Sequence, residues 1–124
     1  MKKILVCSLL AALMALAAAA ADVNGKWSGS LTTESGQPGT AFAILKQSGT
    51  AVTGSAGPDE SQQWPDLKGT IRGDKVTVEV KSSIDGTVYK CDLVLAGDHL
   101  KGDVSATAGG GQTLKAKMDL TRVK

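Results

Sequence analysis

The residues able to do chemistry are few in this chain of 124 residues, and their spacing argues against catalysis. His99 is the sole histidine and falls in the turn phrase Gly97-Asp98-His99. A serine could be imagined as its nucleophilic partner, but no nucleophile elbow or other catalytic phrase occurs. The acidic residues are spread singly through turns and outward faces, so no paired-carboxylate site is expected. Metal centres need several ligands at defined spacings, which this sequence does not supply. The glycines build no phosphate loop, because no helix follows them. Cys91 has no second cysteine or activating histidine near it in sequence and reads as a small buried hydrophobe. The expectation is a protein that is not an enzyme, with no metal and no cofactor.

Binding chemistry is better represented, in four aromatic side chains. Trp64 lies in the polar segment Gly57–Pro65, bracketed by Pro58 and Pro65 and expected to be a loop. There it serves either as a cap folded over the core or as a contact residue at the mouth of a ligand site. Tyr89 alternates with Cys91, Leu93 and Leu95 along one face of a strand. Its hydroxyl could orient a ligand or meet a loop carbonyl. Phe42 is counted among the inward-facing residues. Trp64, Tyr89 and Phe42 are therefore the ligand-binding candidates, whereas Trp27, at the start of the first strand, reads as a structural plug.

The elements that must position these residues are strands. An apolar-polar-glycine-small phrase recurs at Trp27-Ser28-Gly29-Ser30, Val52-Thr53-Gly54-Ser55, Leu67-Lys68-Gly69-Thr70 and Leu100-Lys101-Gly102-Asp103. Each glycine shares a strand face with the apolar residue two places earlier, marking a bend or an empty place on the inward side. Lys75–Lys81 alternates strictly, with Val76, Val78 and Val80 on one face, as a half-buried antiparallel strand requires. Comparable runs at 25–33, 40–47, 51–56, 66–72, 87–95, 99–107 and 112–123 bring the total to eight.

Turn chemistry joins them in sequence. Gly73-Asp74 and Gly97-Asp98 suit type II′ turns, Asp85-Gly86 suits type I′, Ser48-Gly49 gives another permissive corner and Gly109-Gly110-Gly111 a loose turn. Eight consecutively paired strands predict an all-β fold, an antiparallel up-and-down barrel, which removes the exposed edges that the alternative β-sandwich would leave. The inward set comprises Leu31, Phe42, Ile44, Val52, Leu67, Ile71, Val76, Val78, Val80, Leu93, Leu100, Val104, Leu114, Met118 and Leu120. An eight-stranded interior is either filled by such side chains or holds one small ligand.

The first 21 residues read as an export signal. Lys2 and Lys3 precede the apolar run Ile4–Ala21, which ends in Ala19-Ala20-Ala21, a small-residue cleavage pattern. Removal leaves a single domain, 22–124, with no membrane span expected, and takes away Cys7, so that no disulfide can close within it. It also leaves 12 basic residues against 12 acidic ones. A neutral domain with interspersed signs gives no electrostatic footprint for nucleic acid. Location is expected to be periplasmic or secreted.

The phrase Gly25-Lys26-Trp27 resembles the G-x-W that opens the first strand in the calycin group, the lipocalins and avidin-like barrels. In lipocalins a basic side chain packs that tryptophan near the barrel end. Arg122, after the last apolar run, stands where such a residue would be. The resemblance implies a closed barrel and a ligand-binding habit, with Trp27 and Arg122 closing the base. The expected function is an exported carrier of a small apolar molecule. The alternatives are a barrel that binds another secreted or periplasmic protein, like the periplasmic protease inhibitors that open with a similar phrase, or a structural envelope component. In the protein-binding case a mobile segment around Asp22–Asn24 and the 57–65 segment would make contact.

Overall fold

The computed structural model describes residues 22–124, so the expected signal segment lies outside the described residues. Eight antiparallel strands follow one another: β1 Gly25–Thr33, β2 Pro38–Ser48, β3 Ala51–Asp59, β4 Gln62–Arg72, β5 Lys75–Lys81, β6 Val88–Ala96, β7 His99–Thr107 and β8 Thr113–Arg122. Each pairs with its successor, and β8 returns to β1 through a ladder from Trp27↔Arg122 to Thr33↔Ala116, closing the barrel. The sandwich alternative is thereby discarded. Closure follows from short connections: Gly49, Gly73 and Gly97 each take φ near +60° at the first turn position, with no positive φ at the residue after. That is the type II′ geometry, whose twist matches the strands it joins.

The recurring glycines are points where neighbouring strands crowd the inner wall. A Cβ on Gly29, Gly69 or Gly102 would lie about 2 Å from a carbonyl oxygen of the adjacent strand, namely that of Asp119, Thr77 or Asp92. Each of these glycines pairs with a large core residue, Leu120, Val78 or Leu93 respectively. The missing side chain lets the wall bend sharply there and gives the neighbour's side chain room inside.

Four expectations are corrected. Segment 57–65 is not a loop, because β3 and β4 run through it to a two-residue turn at Glu60-Ser61. Asp59 organises that turn by accepting from the Ser61 hydroxyl and from the backbone N–H groups of Ser61 and Gln62. Its tip is drawn onto the outside of the barrel, where Glu60 pairs with Lys26 at 2.8 Å and Thr40 Oγ1 donates to the Pro58 carbonyl.

Asp85-Gly86 is not a type I′ turn, since Asp85 lacks the positive φ that type requires. It belongs to a wider loop, 82–87, closed by Ser82 N–H donating to Thr87 and Gly86 N–H donating to Ser82.

Phe42 and Ile44 do not face inward. On β2 the inward parity is Ala41, Ala43 and Leu45, while Phe42 and Ile44 share the outward parity with exposed Lys46. Leu114, also placed inside by its spacing, lies at the open end and is 70% exposed.

Asp22–Asn24 is held rather than mobile. Val23 is fully buried, its N–H donates to Gln47 Oε1, and Gln47 N–H donates to Asn24 Oδ1.

The base of the barrel is solid. Trp27 is fully buried, and its Nε1 donates to the Val23 carbonyl at 3.0 Å. The Arg122 guanidinium lies 4.4 Å from the Trp27 ring centroid, donates to the Asp22 and Asn24 carbonyls at 2.8 Å each, and meets Asp98 at 3.2 Å. One side chain thus stacks on the plug, caps the entering chain and ties down the β6–β7 turn. Hydrogen bonding from Lys124, then Arg122, holds the exposed Asp98 carboxyl below its ordinary pKa.

Candidate ligand site in the upper half of the barrel

Above this base the barrel is hollow. A cavity of about 150 Å³ occupies the upper lumen, walled by Val78, Val80, Leu93, Val104, Met118 and Leu120 among others, with no charged side chain on its lining. Its origin is a shortage of inward bulk on three strands, most directly at Ala41, Ala43 and Ala56 in its wall. Inward residues from base to open end run Leu45, Ala43, Ala41, Gly39 on β2, then Val52, Gly54, Ala56 on β3, and Leu100, Gly102, Val104, Ala106 on β7. The lower positions of eight strands fill the space, whereas the upper alanines and glycines cannot. This signal is present in the sequence but has meaning only once every strand's register is known.

Trp64 reaches the cavity because β4 is bulged. Gly54 pairs with Leu67 and Ala56 with Trp64, so β4 carries one more residue than β3 across this interval. Asp66 absorbs the extra residue at φ 66°, and Pro65 beside it has no N–H to leave unpaired. The inserted residue reverses the strand's alternation, so that both Leu67 and Trp64 point inward. The β4–β5 ladder also stops at Lys68↔Glu79, leaving the wall beside Trp64 without a paired neighbour on that side.

Tyr89, directed inward from β6, stacks on Trp64 with ring centroids 5.3 Å apart and planes 14° apart. Burial, with the charge of Asp85 behind it, raises the Tyr89 phenol above its ordinary 10.0. The two aromatics together roof the cavity. Phe42, by contrast, meets it from β2 beside Gly57, its pairing partner, and its carbonyl accepts from Gln63 Nε2 at 3.1 Å. Trp27 and Arg122 are absent from the cavity lining and belong to the base.

The remaining reactive groups do not assemble. His99 Nδ1 lies 3.3 Å from Asp119 and 3.4 Å from Thr121 Oγ1. Both approach the same ring nitrogen on the exposed outer face, so the imidazole does not bridge hydroxyl and carboxylate as a catalytic relay must. No cluster of three or more potential metal ligands occurs among the described residues.

Cys91 lies within the cavity wall, and burial, then the charge of Asp92, pushes its thiol from 9.0 up to about 12. Because the folded value exceeds the unfolded one, its contribution to stability is complete below about pH 9 and is lost as pH rises toward 12. We expect an alkaline loss of about 3 kcal/mol from this group by pH 11, read by urea titrations between roughly pH 8 and 11. Cys91→Ala should flatten that slope. Unchanged slopes in the two proteins would show that the thiol ionises as easily folded as unfolded.

The fold and cavity together define a closed eight-stranded up-and-down β-barrel with a plugged base and a hollow upper half. No known family model matches the chain, and no curated protein does. Among solved structures it is similar to EF1p2_mFAP2b bound to DFHBI, at 12% identity and a TM-score of 0.64 over 82% of this chain and 94% of that one. It is also similar to a redesigned β-barrel, b11L5F_LGL, at 18% identity and a TM-score of 0.57 over 82% and 92%. A third likeness is to a de novo designed fluorescence-activating β-barrel, at 17% identity and a TM-score of 0.56 over 85% and 97%. At these identities the likeness establishes the fold.

Proposed function

We propose that this chain is an exported, non-enzymatic calycin-like barrel that holds a small apolar molecule in its upper lumen. The observation that carries the reading is the uncharged cavity of about 150 Å³ beneath the Trp64–Tyr89 stack. An apolar cavity of this order stays dry and takes up a benzene-sized molecule. Access is favoured at the open end, where Ile84 and Leu114 are 69% and 70% exposed and offer apolar surface beside the roof. That one structural neighbour was solved bound to DFHBI lends support by analogy of architecture. The non-enzymatic part rests on the lining, which presents no charged acid or base: beside the Thr40 hydroxyl its ionisable groups are the Tyr89 phenol and the Cys91 thiol, both held protonated. Export, to the periplasm or the outside, rests on Lys2-Lys3 and the run Ile4–Ala21.

Benzene is the appropriate first probe. Titrated into methyl-labelled protein, it should shift the resonances of Val78, Leu93, Val104 and Met118 and leave those of Val52, Ile71 and Leu100 at the base unmoved. Val104→Phe should fold and bind none, because Val104 pairs with the small residues Cys91 and Ala116 and a ring there occupies the hollow. Equal binding by this variant would place the ligand elsewhere.

A further inference from the structure

The two tryptophans differ in one respect that bears on what the cavity takes. The Trp27 indole N–H is bonded to the Val23 carbonyl, whereas Trp64 Nε1 is buried and has no hydrogen-bond partner among the described residues. Tryptophan N–H groups in protein interiors ordinarily find an acceptor, and leaving one bare carries the full desolvation cost of the donor. This bare donor belongs to the side chain that roofs the cavity. Trp64 lines a space walled mostly by hydrocarbon, with Thr40, Tyr89 and Cys91 as its other polar residues and no lysine, arginine, histidine or carboxylate among them. An ionised ligand would therefore be buried without a counter-charge, which is strongly unfavourable. A purely hydrocarbon ligand would leave the indole N–H as bare as before.

Building on the reading of the barrel as a small-ligand binder, we infer that its ligand is neutral, about the size of one ring, and carries a hydrogen-bond acceptor that the Trp64 indole N–H binds. Nε1 has almost no accessible surface in the structure, so the acceptor meets it through a shift of the Trp64–Tyr89 pair. Both rings are only partly buried at the open end, where such a shift disturbs least. The bare donor makes the closed roof less stable than it would otherwise be, and a ligand acceptor removes that deficit. Selectivity then has two sources: the uncharged, mostly apolar wall sets size and neutrality, and the bare Trp64 donor distinguishes molecules of equal shape by whether they accept a hydrogen bond.

Three probes of similar size separate these requirements: acetophenone, α-methylstyrene, in which CH₂ replaces the carbonyl oxygen, and benzoate. Binding to ¹⁵N-labelled protein is followed at the two indole N–H resonances and by calorimetry. Acetophenone should bind at least about 5-fold more tightly than α-methylstyrene, although a purely apolar cavity would favour the hydrocarbon. It should move the Trp64 N–H resonance downfield and leave that of Trp27 in place. Benzoate should bind at least about 10-fold more weakly than acetophenone. Trp64→Phe should bind both neutral probes with the preference for the ketone gone.

Equal or tighter binding of α-methylstyrene by the unmodified protein, or a Trp64 resonance that acetophenone does not move, overturns the inference and leaves the cavity reading standing. Failure of all three probes to bind overturns the cavity reading, and the inference with it. Because the ketone–hydrocarbon comparison is made on the unmodified protein, it does not depend on the folding of Trp64→Phe.

Discussion

Trp27→Ala is expected to destabilise the barrel by about 3–5 kcal/mol, the range for deleting a fully buried tryptophan. In a domain of this size that corresponds to a fall in Tm of roughly 15–30 °C. Three losses coincide. The base becomes a void, the Val23 carbonyl loses its donor, and Arg122 loses the ring 4.4 Å beneath its guanidinium. The entering segment Asp22–Asn24 then keeps its hydrogen bonds to Arg122 and Gln47 but loses the one from the indole to Val23. Trp27→Phe keeps most of the buried ring area and should cost about 1–2 kcal/mol. Arg122→Ala should fall between the two, and its effect should shrink in the Trp27→Ala background, because the two side chains act as one lock. Chemical denaturation of the four variants beside the unmodified protein reads these values directly. A loss below about 1 kcal/mol for Trp27→Ala would show that the base does not hold the barrel closed.

The second large effect is expected from the smallest change, Gly69→Ala. A methyl group there would sit 1.9 Å from the Thr77 carbonyl oxygen and 2.6 Å from the Val78 Cα, both backbone atoms of the adjacent strand. Neither can move without opening the β4–β5 ladder, already limited to the stretch between Lys68↔Glu79 and Arg72↔Lys75. We expect a loss of about 2–4 kcal/mol, at the upper end of overpacking costs. Gly73→Ala is the control. Its φ of +63° is strained for alanine but the space around it is open, so a smaller loss of about 1–2 kcal/mol, from backbone strain alone, is expected. If the two alanines cost the same, backbone conformation rather than close approach of strands explains the recurring glycines.

Those glycines also show what is legible in the sequence. The alternation of Lys75–Lys81, the regular strand spacing and the glycine-first turns point to eight sequential strands, and the barrel follows from them. On β2 the same reasoning fails. Residues 40–45 are small or apolar at both parities, so period-2 patterning cannot choose a face, and bulk alone places Phe42 and Ile44 inside. Lys46, in step with that pair, carries the correct answer. The bulky residues lie outside because the inner wall of β2 must leave space, and the β3–β4 tip folded back toward β1 and β2 partly shields them.

The expectation of a loop around Trp64 fails for a physical reason too. Two prolines and a polar run usually end strands, but at an irregular sheet position with a bulge they need not. The bulge at Pro65-Asp66 is invisible to an alternation count, yet it is what turns Trp64 into the lumen. The cavity is illegible for the same reason, since it arises from the vertical alignment of small residues on β2, β3 and β7. That alignment is a property of the closed barrel's register and of no single strand.

The proposed function requires the upper lumen to be an open apolar space able to hold a ligand. Its most direct test is a crystal structure of the protein exposed to benzene. Density for the ring is predicted inside the barrel among Val78, Val104 and Met118, below Trp64 and Tyr89 and above the filled base. A lumen whose walls have closed into mutual contact, or a ring bound only on the outer surface, would contradict the account.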